Sequence, residues 1–283
     1  MKQWLFISLI VLFALVFTVS ACFLLNYYQE SQKQKSSFDE LAQIMNQATI
    51  PPTEPPQTQL PDSTDPAEPT AQPEPEEPVF VKVTDPQTGE VREILPEFAE
   101  LYAMNNHIVG WISIENTNIN YPVMQTPNVA DYYLYKDYNR EYSRHGCIYV
   151  REVCDVFAPS DNITIYGHRM GDGTMFNDLH KYADKDFYRN HNIITFNTLT
   201  ARHTYEIISI FRISSTVDHP FQYHLFVDAF DAADFDAFID NCNAYSLYDT
   251  GVTASYGDKL ITLSTCEYTQ LNGRLVVVAK CIA

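Results

Sequence analysis

Residues 260–280 read LITLSTCEYTQLNGRLVVVAK. An apolar run from Leu260 to Leu263 turns polar at Ser264-Thr265-Cys266, a short polar loop follows, and Arg274 opens a second apolar run from Leu275 to Ala279. Two such runs around a short loop predict a β-hairpin with a cysteine at the end of one strand and an arginine at the root of the next. Glu267, Tyr268, Thr269 and Gln270 follow the cysteine, which sets its thiol at a rim rather than inside a core. A nucleophilic cysteine needs access, a nearby cation to favour the thiolate, and an acid–base partner. Arg274 can supply the cation; a guanidinium does not give up its proton, so it suits charge stabilisation and not proton transfer. The proton shuttle calls for a histidine, and His168 is the best placed, closing the strand-like run NITIYGH (162–168) at another strand-to-loop boundary.

Around this hairpin, strand signals dominate. Short β-branched and aromatic runs occur at 111–114, 121–124, 146–150, 162–166, 193–196 and 203–213. Helical spacing appears at 176–187 and 231–242, where Phe235, Phe238 and Ile239 share a face, and Pro96 is suited to open a helix carrying Phe98, Leu101 and Tyr102. Many short strands and few helices predict a mainly β fold, a barrel with inserted helices. Residues 79–283 carry 15 Lys plus Arg against 26 Asp plus Glu, a net charge of −11. That lacks the basic footprint of a nucleic-acid binder and disfavours adhesion of the domain to anionic lipid. No metal or cofactor motif stands out: there is no HExxH, CxxC or calcium loop of alternating carboxylates, and Gly171-Asp172-Gly173 has the composition of a plain turn. Cys147, Cys154, Cys242 and Cys281 can pair as disulfides in three ways, or simply pack as small hydrophobes.

The N-terminal part is not globular. No charged residue lies between Lys2 and Glu30, and Trp4 to Leu25 is almost wholly apolar. At about 1.5 Å per residue a helix of that length crosses a bilayer core. This predicts a short tail (1–3), a membrane anchor (4–25) and a juxtamembrane segment (26–45). Val19-Ser20-Ala21-Cys22 has the look of a lipidation site, but the apolar run continues through Leu25, which favours an uncleaved anchor. Residues 46–78 hold ten prolines and seven acidic residues, with no Lys or Arg between Lys35 and Lys82. Such a composition predicts a disordered, self-repelling tether, spanning up to ~100 Å in polyproline II, before a catalytic domain at 79–283.

Three motifs, in order, carry a resemblance. Thr262-Leu263-Ser264-Thr265-Cys266 followed by Arg274, and Tyr166-Gly167-His168 before them, resemble the cysteine–arginine signature and histidine motif of sortases, membrane-anchored cysteine transpeptidases of Gram-positive bacteria. Trp111 to Gln125, Tyr132-Tyr133-Leu134, a helix from Pro96 and the long segment Ser214 to Asp258 are most similar to class B. The resemblance implies an eight-stranded β-barrel with N-terminal helices and a helix inserted between the sixth and seventh strands. It implies Cys266 as nucleophile, His168 as general acid and base, and Arg274 in oxyanion or substrate stabilisation. Ser264, Thr265, Glu267 and Tyr166 would line the substrate groove, with the helix at 231–242 as its selectivity wall, and neither cofactor nor metal is called for. Partners would be surface or pilin proteins bearing an NPxTx-like sorting motif, cleaved after Thr, and the acceptor an amine of a peptidoglycan precursor or a pilin lysine. The enzyme would be a single-pass protein of the cell membrane with its catalytic domain outside. Two other classes compete: a non-catalytic surface binding module, and a cysteine hydrolase that passes the acyl group to water.

Overall fold

The computed structural model describes residues 2–49, 79–85, 87–269 and 271–283. It opens with one helix, α1 (Lys2–Thr49), whose residues from Trp4 to Leu25 are mostly exposed and apolar over a length sufficient to cross a membrane. Residues 26–45, expected as a juxtamembrane segment, belong to the second half of this helix, and there the pattern changes. Phe38, Leu41 and Met45 are buried at helical spacing and join the main core of the domain. At roughly 1.5–3 kcal/mol for each buried large side chain, this stripe is enough to dock the helix. Asn46–Thr49, expected in the tether, are helical; the rest of the tether, 50–78, lies outside the described residues.

A hairpin absent from the sequence expectations follows, β1 (Val81–Thr84) with β2 (Val91–Ile94). Asp85 ties its turn: the carboxylate accepts from the backbone N–H groups of Gln87 and Thr88, from Asn106 and from the Tyr102 hydroxyl. A 3-10 turn at Pro96–Phe98 then leads into α2 (Ala99–Met104), with Phe98, Leu101 and Tyr102 facing the core.

Eight strands close the barrel: β3 (Ile108–Ser113), β4 (Asn120–Met124), β5 (Ile148–Val150), β6 (Asn162–Tyr166), β7 (Ile193–Thr198), β8 (Thr204–Ser214), β9 (Leu260–Glu267) and β10 (Gly273–Cys281). Their order round the barrel is β10-β8-β7-β3-β4-β5-β6-β9, closed by the β9–β10 hairpin. Two pairs are parallel, β4 with β5 and β6 with β9. The helix expected at 176–187 is a 3-10 stretch, Phe176–Ala183, followed by α3 (Lys185–Asn190), which Asp184 caps. The one expected at 231–242 is α4 (Ala232–Tyr245), capped by Asp231 and lying in the insertion between β8 and β9, the sixth and seventh barrel strands.

Side chains of β9 and β10 alternate between two cores. Ile261, Leu263, Leu275, Val277 and Ala279 point into the barrel and join the main core. Leu260, Val276 and Val278 point outward into a second core made with Phe235, Phe238, Ile239 and Cys242 of α4. All six cysteines are free. Burial pushes the thiols of Cys147, Cys154 and Cys242 up, leaving them as packing groups.

Candidate active site

Strand register brings the candidate residues together. In the hairpin, Cys266 and Arg274 are directly opposed Cα partners, so their side chains stand on the same face. The parallel pairing of β6 with β9 sets Tyr166 beside Ser264. Two residues further along the chain come His168, just past the end of β6, and Cys266, near the end of β9, so both emerge from the same end of the barrel. Two hydrogen bonds extend that alignment past the ladder: Gly167 N–H donates to the Ser264 carbonyl at 3.2 Å, and the Thr265 hydroxyl donates to the Gly167 carbonyl at 2.8 Å. A side chain at 167 is excluded, since a Cβ there would lie 2.5 Å from Ile148 and 2.7 Å from the Phe176 ring.

Cys266, His168 and Arg274 are each half-buried and line one cavity of about 360 Å³. Its walls include Tyr166, Ser264 and Thr265, and also Leu134, Arg151, Tyr223 and His224. The His168 Nε2 lies 2.7 Å from the Leu134 carbonyl oxygen. A carbonyl only accepts, so Nε2 carries a proton, and Nδ1 is left to exchange one. Burial lowers the pKa of His168, and the Arg274 guanidinium acts in the same direction; the bond to Leu134 opposes them without prevailing. The resting imidazole is therefore neutral near pH 7, with its lone pair on Nδ1.

The Arg274 guanidinium donates to its neighbour's carbonyl, Gly273, at 3.0 Å and makes no ion pair with a carboxylate among the described residues. A cation on a cavity wall without a neutralising partner is disposed to receive negative charge from a reacting group. Ser264 is buried and holds the insertion in place through a 2.8 Å hydrogen bond with the Tyr223 hydroxyl. Arg151 does the same from β5's end, donating to the His224 carbonyl.

Two of the expected groove elements lie off the cavity. Glu267 is not on the cavity wall: strand alternation turns it away from the Cys266 face, where Arg212 (3.5 Å) and Arg169 (3.9 Å) flank it and Thr269 N–H donates to it. Nor does α4 line the cavity, because its apolar stripe covers β8 and β10. The segment before it, with Tyr223 and His224, lines the cavity instead. Sequence reading missed Tyr223, Arg151 and the Leu134 carbonyl. The first two carry no local motif, and a backbone carbonyl carries no sequence signal at all.

A model of the sortase domain matches residues 112–282. The chain belongs to the sortase family. Within it the likeness is to class B: it is 34% identical over 191 residues to sortase B of Staphylococcus aureus, covering 67% of this chain and 76% of that protein. Sortase B of Listeria monocytogenes is also 34% identical, over 201 residues, covering 69% and 76%. Among solved structures, a Staphylococcus aureus sortase B–substrate complex superposes with a TM-score of 0.68 at 26% identity, over 90% of this chain and 98% of that one. Sortase B of B. anthracis in complex with AAEK1 gives 0.67 at 26% identity, over 90% and 99%. This sortase is thus a class B-type cysteine transpeptidase with the eight-stranded barrel and inserted helix that its motifs predict.

Proposed function

We propose that the chain is a membrane-anchored transpeptidase that cleaves a sorting motif of the NPxTx kind after its threonine and transfers the acyl group to an amine of a cell-wall precursor. Cys266 is the nucleophile, His168 the acid and base, and Arg274 the group that stabilises developing negative charge. The observation that carries this assignment is the convergence of all three on one cavity, with His168 oriented by Leu134 so that Nδ1 is free.

The steps follow from the side chains. His168 Nδ1 takes the proton of the Cys266 thiol, giving a thiolate and an imidazolium that keeps its Nε2–H on Leu134. The sulfur attacks the carbonyl carbon of the threonine, and the new oxyanion is met by Arg274 and backbone N–H groups; donors of this kind contribute roughly 10²–10³-fold. As the C–N bond breaks, Nδ1–H passes its proton to the leaving amine, and a thioester on Cys266 remains. An acceptor amine then attacks the thioester, gives a proton to Nδ1, and the thiolate leaves as the new amide forms. The insertion that roofs the cavity helps keep water from the thioester, which favours an amine acceptor over hydrolysis. The exposed apolar half of α1 supports a single-pass anchor with the catalytic domain outside the cell.

To test this, the full chain in detergent micelles is incubated with NPxTx or LPxTG peptides and either triglycine or a lysine-bearing peptide, and products are resolved by mass spectrometry. Ligation to triglycine supports the wall-precursor acceptor. Ligation only through the lysine side chain makes it a pilin-polymerising enzyme, and cleavage without ligation to any amine would leave a hydrolase.

A further inference from the structure

The loop that carries His168 is fastened at its far end to the N-terminal helix. Residues 168–176 close on themselves: Phe176 N–H donates to the His168 carbonyl at 2.9 Å, and Arg169 bridges Met175. At the tip, Asp172 uses both carboxylate oxygens. Oδ1 accepts from the backbone N–H (3.1 Å) and hydroxyl (2.6 Å) of Thr174. Oδ2 accepts from His145 Nε2 at 2.8 Å and from the hydroxyl of Ser31, on α1, at 2.5 Å. The same loop meets α1 again through Tyr121, whose hydroxyl accepts from Met175 N–H at 3.0 Å and whose ring packs edge-on against Phe38 with centroids 5.2 Å apart.

His145 connects this cluster to the other support of His168. It is buried at 1% exposure, and its Nδ1 has no hydrogen-bond partner among the described residues, so the bond to Asp172 is the one that orients the packed ring there. The segment around it lies against residues 133–135: Ser143 N–H donates to the Tyr135 carbonyl and Cys147 N–H to the Tyr133 carbonyl, each at 3.0 Å. Gly146, at φ +58°, has no room for a Cβ because the carbonyls of Tyr133 and Leu134 occupy it. The Leu134 carbonyl is the acceptor that orients His168. His168 is therefore held from two sides, by its own loop and by Leu134, and both supports lead to Asp172 and Ser31.

We infer that the docked juxtamembrane helix is part of the active enzyme, with Ser31, Asp172 and His145 acting as positioning residues for His168. The inference rests on His168 being the acid–base group. Proton transfer demands placement of the ring to a fraction of an ångström, and loosening a remote support costs turnover more than peptide binding.

The test is a mutant cycle in the full chain in detergent, measuring kcat and KM for transpeptidation well below the melting temperature of each variant. Ser31→Ala is expected to lower kcat roughly 3- to 10-fold with KM within about twofold, and Ser31→Thr to restore it. Asp172→Ala is expected to lower kcat roughly 10- to 100-fold, and the double variant to be no slower than Asp172→Ala alone. Losses that multiply, or a Ser31→Ala enzyme with wild-type kcat, overturn the inference. Because Asp172→Ala can fail to fold, the Ser31→Ala and Ser31→Thr pair decides by itself in that case. His168→Ala separates the two levels: if it keeps its activity, the assignment of His168 falls, whereas an inactive His168→Ala beside a wild-type Ser31→Ala sinks only the positioning role.

Discussion

The two faces of the β9–β10 hairpin differ in how they end. The inner face is apolar from Ile261 to Leu263 and from Leu275 to Ala279 and stays within the barrel core. The outer face begins the same way, with Leu260, Val276 and Val278 sealed under α4, and then that cover stops. Past α4, Ser264 is still covered, by Tyr223, and beyond it the outward-facing Cys266 and Arg274 are only half-buried and open on the cavity. A strand pair buried on both sides is rigid, and its first uncovered residues inherit that rigidity while gaining access to substrate. This is a physical reason for a nucleophile to sit where a second core runs out.

The sharpest way to break that contrast is to compare two cysteines. Cys266→Ser is expected to abolish transpeptidation, by roughly 10⁴-fold or more, with an unchanged melting temperature. Cys242→Ser, buried under α4, is expected to keep kcat and to lose roughly 1–3 kcal/mol of stability, read by denaturant unfolding, as a hydroxyl enters an apolar site. If Cys242→Ser silences the enzyme while leaving it stable, the division into core and site is misplaced. Next in size, Arg274→Ala should lower kcat roughly 10²- to 10³-fold. A rise in KM alone would instead mean that Arg274 binds substrate and transition state equally.

Leu263→Ala on the inner face and Leu260→Ala on the outer face should each cost roughly 2–5 kcal/mol, since each leaves a cavity in a packed core. An effect below about 0.5 kcal/mol at Leu260 would show that α4 covers the strand without forming a core with it. Stability should also fall on acidification. Burial lowers the pKa of His168, His107, His203 and His224, so the folded state binds fewer protons than the unfolded state does. That contribution is complete above the ordinary histidine value near 6.5 and is lost as pH falls through the lowered values, which a melting series from pH 7.5 to 4.5 checks. A melting temperature flat across that window contradicts it. The smallest expected change is that of Tyr223→Phe, which removes the tie to Ser264 and should cost about 1 kcal/mol with a loss of kcat of a few fold.

Much of this is legible in the sequence because the hairpin signals itself: its apolar runs stop at Leu263 and restart at Leu275, and Cys266 and Arg274 fall at the break. All eight barrel strands coincide with runs visible in the sequence, and Asp231 marks the start of α4 as its cap. The β1–β2 hairpin was overlooked although VKVT and VREI flank a turn containing Asp85 and Gly89, since proline-rich composition just upstream masks so short a unit. Glu267 follows Cys266 directly in sequence but turns toward Arg212 and Arg169, a placement set by tertiary partners that local sequence does not reveal. The docking of α1 is hidden by the composition of its first half: the apolar stripe of Phe38, Leu41 and Met45 follows on a far stronger apolar run, and the helix meets residues up to 141 positions away, as Ser31 meets Asp172.

The central claim is a covalent one. The most direct measurement is the intact mass of the full chain after incubation with a sorting-motif peptide in the absence of an acceptor amine, beside Cys266→Ala. The account predicts a thioacyl adduct whose mass equals the peptide up to its threonine, present only when Cys266 is present and discharged on adding the amine. An adduct that survives in Cys266→Ala, or none on folded wild-type protein with any peptide of either motif, would contradict it.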